Sequence, residues 1–255
     1  METYRDPRIP KEVSLFVGNW YNNLVREVVA VVRYQWIKSI RDGIRGYIFS
    51  GPPGTGKTYT AWKIADALGL LSYYDKRGES VVMYRDCADL AFWRYGETEK
   101  QIREVFRRGI ETANKVKMRR RDFGILFIFD DAEALFLTRS YGTKLDTWYI
   151  SQLNVFFHEV DTLDTSLAFV ILITNRKDLL DEALLDRFVV VEFPEPPSEV
   201  LVEYAERRIR AYGITDPKII KNVRELVKNG AKTFRDVNRI VTKKFIEYAI
   251  AQSEM

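Results

Sequence analysis

Eight consecutive residues, Gly51-Pro52-Pro53-Gly54-Thr55-Gly56-Lys57-Thr58, carry the densest chemical signal in the chain. Gly51, Gly54 and Gly56 let the backbone wrap tightly and turn its N–H groups toward one point. Lys57 and Thr58 follow at the start of a stretch with helical spacing. Together these features make a phosphate cradle. The glycine backbone and the helix N-terminus face phosphate oxygens, Lys57 serves the β- and γ-phosphates, and the Thr58 hydroxyl reaches Mg²⁺. Tyr59 comes next and is counted with residues 51–58 as nucleotide-binding. The bound groups this pattern predicts are ATP and Mg²⁺.

A metal beside phosphates needs a second anchor on a neighbouring strand. Ile125 to Phe129 form a continuous apolar run, as expected of a strand buried on both faces of a parallel sheet, and Asp130 ends it. That position puts the Asp130 carboxylate at the carboxyl edge of the sheet, where such sheets bind ligands. Asp131 follows. It either orients an attacking water or, with Asp130, caps the next helix.

The elements that must position these groups read as follows. A helix covers about Ser14 to Ile40, with Val25, Val28, Val29 and Val32 at helical spacing. Gly46 to Phe49 is a strand, and the cradle leads into a helix with a stripe of Ala61, Ile64, Ala65 and Leu68 that stops at Gly69. A second strand spans Val81 to Tyr84. A long helix runs from Glu97 to Ala113, where Thr98 and Gln101 have the spacing of a capping box. After the strand at 125–129 come a helix near Trp148 to Val160, a strand from Leu167 to Ile173 and a fifth strand at Val189 to Val191. Beyond Pro196 there is no strand candidate, only helical stretches at about 199–211, 218–228 and 233–251.

The fold expected is an α/β three-layer sandwich around a parallel five-stranded sheet, followed by a small all-helical lid domain. The boundaries are 1–43 for an N-terminal helical segment, 44–196 for the α/β domain and 197–255 for the lid.

At 46% hydrophobic the chain has enough apolar residues for a sizeable core, which argues against wholesale disorder. Its net charge of +4 permits nucleic-acid binding without arguing for it. One cysteine, Cys87, excludes an internal disulfide and reads as a buried small residue. The one histidine, His158, lacks partners for a metal site and reads as structural. Lys115, Lys117 and Arg119 to Arg121 form the one basic cluster, either a solvated helix end or a phosphate-backbone contact. The N-terminus has no apolar run of signal type and no stretch approaches a membrane span, so a cytoplasmic protein with no membrane partner is expected.

At these residues the chain resembles the AAA family of ATPases. The run Gly51 to Thr58 is identical to that family's commonest loop, and Phe127 to Leu135 resembles its second motif. Thr174 to Phe188 resembles its sensor and arginine-finger segment, and Gly96 to Lys100 resembles the stretch after its central-pore loop. The likeness extends over roughly 44–250, and it is better to the protein-remodelling branch than to the clamp-loader branch. It implies an ATPase that forms a homo-oligomer, as a hexameric ring. By the same resemblance Asn175 is the polar sensor near the γ-phosphate, and Arg187 is the finger donated to a neighbouring subunit. Arg235 reaches the γ-phosphate from the lid, or is a solvated residue at a helix start. Trp93, Arg94 and Tyr95 form the pore loop that grips a protein substrate, or the aromatics pack into the domain.

Two departures bear on function. The family has Glu where this chain has Asp131, and an acidic pair of the Asp-Asp kind occurs in replication-initiator relatives. The pore-loop aromatics are shifted in register. The implied function is remodelling or unfolding of a protein substrate, with a protein substrate or adaptor as the partner. The alternative is a replication initiator or helicase loader acting on nucleic acid, which Asp131, Arg235 and the 119–121 cluster favour.

Overall fold

The computed structural model describes residue 15 and residues 17–71, 80–90, 96–118, 120, 122–136 and 147–253. Trp93, Arg94, Tyr95, Arg119 and Arg121 lie outside the described residues.

Helix α1 (Asn19–Lys38) precedes β1 (Gly46–Ser50), and α2 (Lys57–Ala67) follows the cradle. Next come β2 (Val82–Asp86), the short α3 (Cys87–Leu90), α4 (Glu97–Lys117) and β3 (Ile125–Asp130). A 3-10 turn at Ala132–Ala134 leads toward α5 (Thr147–Asp161) and then β4 (Ala168–Thr174). The remaining elements are α6 (Glu182–Leu185), β5 (Val189–Glu192), α7 (Ser198–Ala211), α8 (Pro217–Gly230) and α9 (Phe234–Ser253).

The five strands form one parallel sheet in the order β2-β3-β4-β1-β5. Their side chains alternate between two cores, as the period of two requires. Leu126, Ile128, Phe169, Ile171, Tyr47 and Phe49 face a core shared with α1, α2 and the C-terminal helices. Ile125, Phe127, Phe129, Val170, Leu172 and Ile48 face a core shared with α4 and α5. A central sheet between two helical layers is the three-layer sandwich expected from the apolar runs. The predicted stripe on α2 is buried along its length, and Gly69 beyond it has a left-handed φ of 78°.

The helical end is locally well specified. Asp216 caps α8 by accepting the Lys218 N–H at 2.8 Å, with Pro217 in the first turn. Thr233 and Asp236 form a reciprocal cap on α9. The Asp236 N–H donates to Thr233 Oγ1 at 3.2 Å, and the Thr233 N–H donates to Asp236 Oδ2 at 3.0 Å.

Three expectations need correction. The start of α4 is not a Thr98/Gln101 capping box. Gly96 caps the helix in a left-handed conformation with no side-chain bond, and Thr98 is buried. Helix α4 also continues to Lys117, and that residue is not a solvated helix end. Its ammonium donates to the carbonyls of Trp36, at 3.2 Å, and Ser166, tying α4 to α1 and to the loop before β4. His158, read as structural, lies exposed on α5. Among the described residues no helix is long and apolar enough to cross a membrane.

Candidate active site

The cradle occupies the turn between β1 and α2, at the carboxyl edge of the sheet. Gly51, Gly54 and Gly56 take φ values of 139°, 80° and 95°, where L side chains are strained. A Cβ on Gly51 would stand 2.7 Å from the Phe193 carbonyl oxygen. The loop is braced from inside. Thr55 Oγ1 donates to the Pro52 carbonyl at 2.9 Å, and the buried Tyr21 hydroxyl donates to the Thr55 carbonyl at 3.0 Å. Pro52 and Pro53 sit exposed on the outer turn.

Lys57 is 5% exposed and donates to the carbonyls of Gly51 and Pro52 at 2.7 and 2.8 Å. Burial pushes its ammonium down to about 8, against an opposing pull from Asp130, Glu133 and Asp131. Thr58 Oγ1 donates to Asp130 Oδ2 at 2.9 Å, and the Tyr84 hydroxyl donates to the same oxygen at 3.0 Å. Asp130 Oδ1 accepts the Asp131 N–H at 3.1 Å. Burial raises the Asp130 carboxyl, and these three donors oppose the rise.

Asp131 follows the strand in a left-handed conformation, φ 51°, which aspartate tolerates better than most residues. Its side chain makes no cap for the following 3-10 turn. Instead Asp131 Oδ1 accepts from Asn175 Nδ2 at 3.2 Å. The Asn175 backbone N–H donates to Glu133 Oε1, also at 3.2 Å. Asn175, which follows the last residue of β4, is therefore held by its side chain and by its backbone. Burial and the neighbouring carboxylates of Asp130 and Glu133 raise Asp131.

One cavity of about 250 Å³ gathers these groups. Its lining includes Gly54, Gly56, Lys57, Thr58, Tyr59, Asp130, Asp131 and Asn175 together with Phe234, Arg235 and Asn238 from α9. Gly51 and Thr55 shape the loop behind it. Arg187 does not line it. Its guanidinium lies over the Phe157 ring at 4.2 Å and grips both oxygens of Asp161 at 2.9 Å. Cys87 is buried, and burial with the nearby Asp130 raises its thiol, which suits an inert residue.

Tyr84, Glu133, Phe234 and Asn238 join the site without having been singled out by the sequence. The pairing of β2 with β3, Asp86 opposite Asp130, is what brings Tyr84 within reach. Only the acidic character of Glu133, two residues after Asp131, was a signal in the sequence.

The donor set fits Mg²⁺ and a nucleotide. Hydroxyl and carboxylate oxygens are hard ligands, and Mg²⁺ is commonly held by one or two carboxylates plus phosphates and water. Among the described residues no cluster of three or more His, Cys, Asp or Glu could hold a metal by itself.

A family model for the ATPase family associated with various cellular activities (AAA) matches residues 47–195. The chain belongs to the AAA family. An "AAA ATPase forming ring-shaped complexes" of Micrococcus luteus is 36% identical over 143 residues, 55% of this chain and 23% of that protein. A "proteasome-associated ATPase" of Acidimicrobium ferrooxidans is 29% identical over 222 residues, 82% of this chain and 35% of that protein. The chain thus spans about a quarter to a third of the length of these relatives. Among solved structures, a chain of the HORMA:CdnC:Trip13 complex of E. coli MS115-1 superposes with a TM-score of 0.67. It is 20% identical, with 92% of this chain and 84% of that chain covered, a likeness of fold.

Proposed function

We propose that this AAA chain is the ATP-hydrolysing subunit of a ring that remodels or unfolds a protein substrate. The observation that carries this reading is the one cavity shared by Lys57, Thr58, Asp130, Asp131 and Asn175, with Arg187 turned elsewhere. Bound ATP supplies the phosphoryl group, and Mg²⁺ supplies the Lewis acid that neutralises its oxygens. The N–H groups of loop 51–58 and the positive end of α2 hold phosphate. Lys57 exchanges its two carbonyl partners for phosphate oxygens. Thr58 and Asp130 hold the metal. Asp131 orients the attacking water, with its carboxylate fixed by Asn175, and Asn175 senses the γ-phosphate.

Arg187 is the finger that completes a neighbour's site. In one subunit it points at Asp161 rather than into its own cavity, so turnover requires assembly. The ring-forming and proteasome-associated relatives support an oligomer and a protein substrate. The substrate-gripping loop is Trp93, Arg94 and Tyr95. Arg235 and Asp131 in the cavity lining favour the initiator-type reading, in which nucleic acid is the substrate.

One experiment separates the two. ATPase rates are measured with an unfolded, uncharged polypeptide and with oligonucleotides, for the wild type and for Trp93→Ala and Tyr95→Ala. Stimulation by polypeptide alone, lost in the loop variants while basal turnover stays within a few-fold, supports remodelling. Stimulation by oligonucleotides alone, with a steep salt dependence, overturns it.

A further inference from the structure

Asp130 is held by a hydroxyl that the phosphate-binding loop does not supply. Tyr84, the third residue of β2, donates to Oδ2 of Asp130, the same oxygen that accepts from Thr58. The other oxygen accepts the Asp131 N–H. Donors from β2, from α2 and from the turn after β3 therefore fix both oxygens of one carboxylate. The phenol is fixed in turn. It stacks on the Trp62 ring with centroids 5.4 Å apart and planes 26° apart. Trp62 is buried in α2, the helix that Lys57 and Thr58 open.

We propose that Tyr84 is a positioning residue for the metal-binding carboxylate, setting the direction in which Asp130 meets Mg²⁺ and so how strongly the metal tightens ATP binding. The inference rests on the reading of Thr58 and Asp130 as the Mg²⁺ site. With the Thr58 hydroxyl given over to Mg²⁺, the Tyr84 hydroxyl would keep Oδ2 tied while the Asp131 N–H ties Oδ1, so the carboxylate would not turn about its last bond. Mg²⁺ demands near-ideal octahedral geometry, whereas Ca²⁺ accepts more ligands at longer and more variable distances. A carboxylate locked by the Tyr84 hydroxyl thus favours the smaller ion. An ionised carboxylate has about four lone-pair sites, so the phenol, the threonine, the Asp131 N–H and a cation can be accommodated together. Hydrogen-bond partners behind a metal ligand typically contribute 10- to 100-fold in metal affinity.

Tyr84→Phe tests this, because it removes one oxygen and keeps the ring stacked on Trp62. The affinity of the full chain for a non-hydrolysable ATP analogue is measured in EDTA and across series of Mg²⁺ and Ca²⁺ concentrations, with Asp130→Asn in parallel. In EDTA the Tyr84→Phe affinity should stay within about twofold of wild type, since no phosphate contact changes. The Mg²⁺ concentration giving half of the tightening should rise about tenfold, and the Ca²⁺ value should rise less, which narrows the preference for Mg²⁺. An unchanged or lowered Mg²⁺ requirement overturns the proposal. So does an equal loss in EDTA, which would mean that the loop itself had shifted. If wild-type binding ignores Mg²⁺, or Asp130→Asn responds to it normally, the metal site is misassigned and the Tyr84 inference falls with it. If Asp130→Asn loses the response and Tyr84→Phe keeps it, the inference about Tyr84 alone fails.

Discussion

Lys57 gives nucleotide binding a pH dependence whose size follows from its surroundings. The ammonium sits in a buried pocket, bonded to two carbonyls, and its pKa falls from 10.5 to about 8. Phosphate needs the cation. At pH 7 roughly nine-tenths of free chains carry it, and at pH 9 roughly one-tenth do, so affinity should fall about tenfold, or ~1.4 kcal/mol. Phosphate oxygens hold the proton on Lys57 in the complex, so the decline continues at about tenfold per pH unit until the bound group also titrates. Stability of the nucleotide-free chain runs the other way. Between about 8 and 10.5 the folded chain has released the proton and the unfolded chain still holds it, so this group's contribution rises with pH. The assay is equilibrium binding of a non-hydrolysable ATP analogue from pH 7 to 9.5, alongside Lys57→Arg, whose guanidinium does not titrate in that range. The variant should bind more weakly but with a flat profile. A flat wild-type profile, or equal slopes for both proteins, would refute the account of Lys57 as the titrating phosphate ligand.

Asp131→Asn should bind ATP and fail to hydrolyse it. Asparagine tolerates the left-handed backbone at this position, so lost folding would not explain the result, and wild-type turnover would remove Asp131 from the mechanism. Arg187→Ala should keep nucleotide binding and lose roughly 10³- to 10⁵-fold in rate. Mixing it with Lys57→Ala should restore part of the activity, because one interface then pairs an intact Lys57 with an intact Arg187. No rescue between subunits shown to exchange counts against a shared site. Gly109→Ala should destabilise the fold by about 1–3 kcal/mol in urea unfolding. The new Cβ would stand 2.3 Å from Cζ of Phe127, whose ring is packed against Phe106 at 4.8 Å. Undiminished stability would mean that this aromatic layer can relax.

The sheet was legible because parallel strands buried on both faces become unbroken apolar runs, and 125–129 and 167–173 are such runs. The cradle was legible because its glycines, lysine and threonine are contiguous. What escaped depends on which strands are neighbours. Tyr84 looks like an ordinary strand tyrosine until β2 is seen paired with β3. Phe234 and Asn238 look like a helix start until α9 is seen against Gly54. Lys117 reads as part of a basic run because sequence cannot reveal two carbonyls waiting in other segments. The spacing of Thr98 and Gln101 suggested a cap, but a glycine immediately before Glu97 supplies the left-handed turn, and Thr98 is buried. The Arg187–Asp161 pair joins the turn before β5 to the end of α5, 26 positions apart, and no periodicity signals it.

The same reasoning explains why the helical end belongs to the nucleotide site rather than merely following it. The Phe234 N–H, at the start of α9, donates to the Gly54 carbonyl at 2.9 Å, so the phosphate-binding loop satisfies one of the orphan donors of that helix. A Cβ on Gly54 would lie 3.0 Å from Thr233 and 3.1 Å from Arg235, so the loop and the cap touch closely. The Phe234 ring packs edge-on against Tyr21 at 5.7 Å, and the Tyr21 hydroxyl holds the Thr55 carbonyl. The loop therefore grips α9 by a backbone bond at Gly54 and, through Tyr21, by an aromatic contact. Meanwhile α7, α8 and α9 pack on one another through Tyr204, Ile209, Val223, Val227, Val237 and Val241. That unit also shares a core with α1, α2 and the sheet, so the loop contact is one of several that hold it. Any ligand that shifts Gly54 must break the Phe234 bond or carry α9 with it, and breaking it leaves a helix-end donor and a carbonyl unpaired. Keeping that bond couples α9 to the position of Gly54, so a nucleotide that moves the loop is expected to move the base of α9 with it.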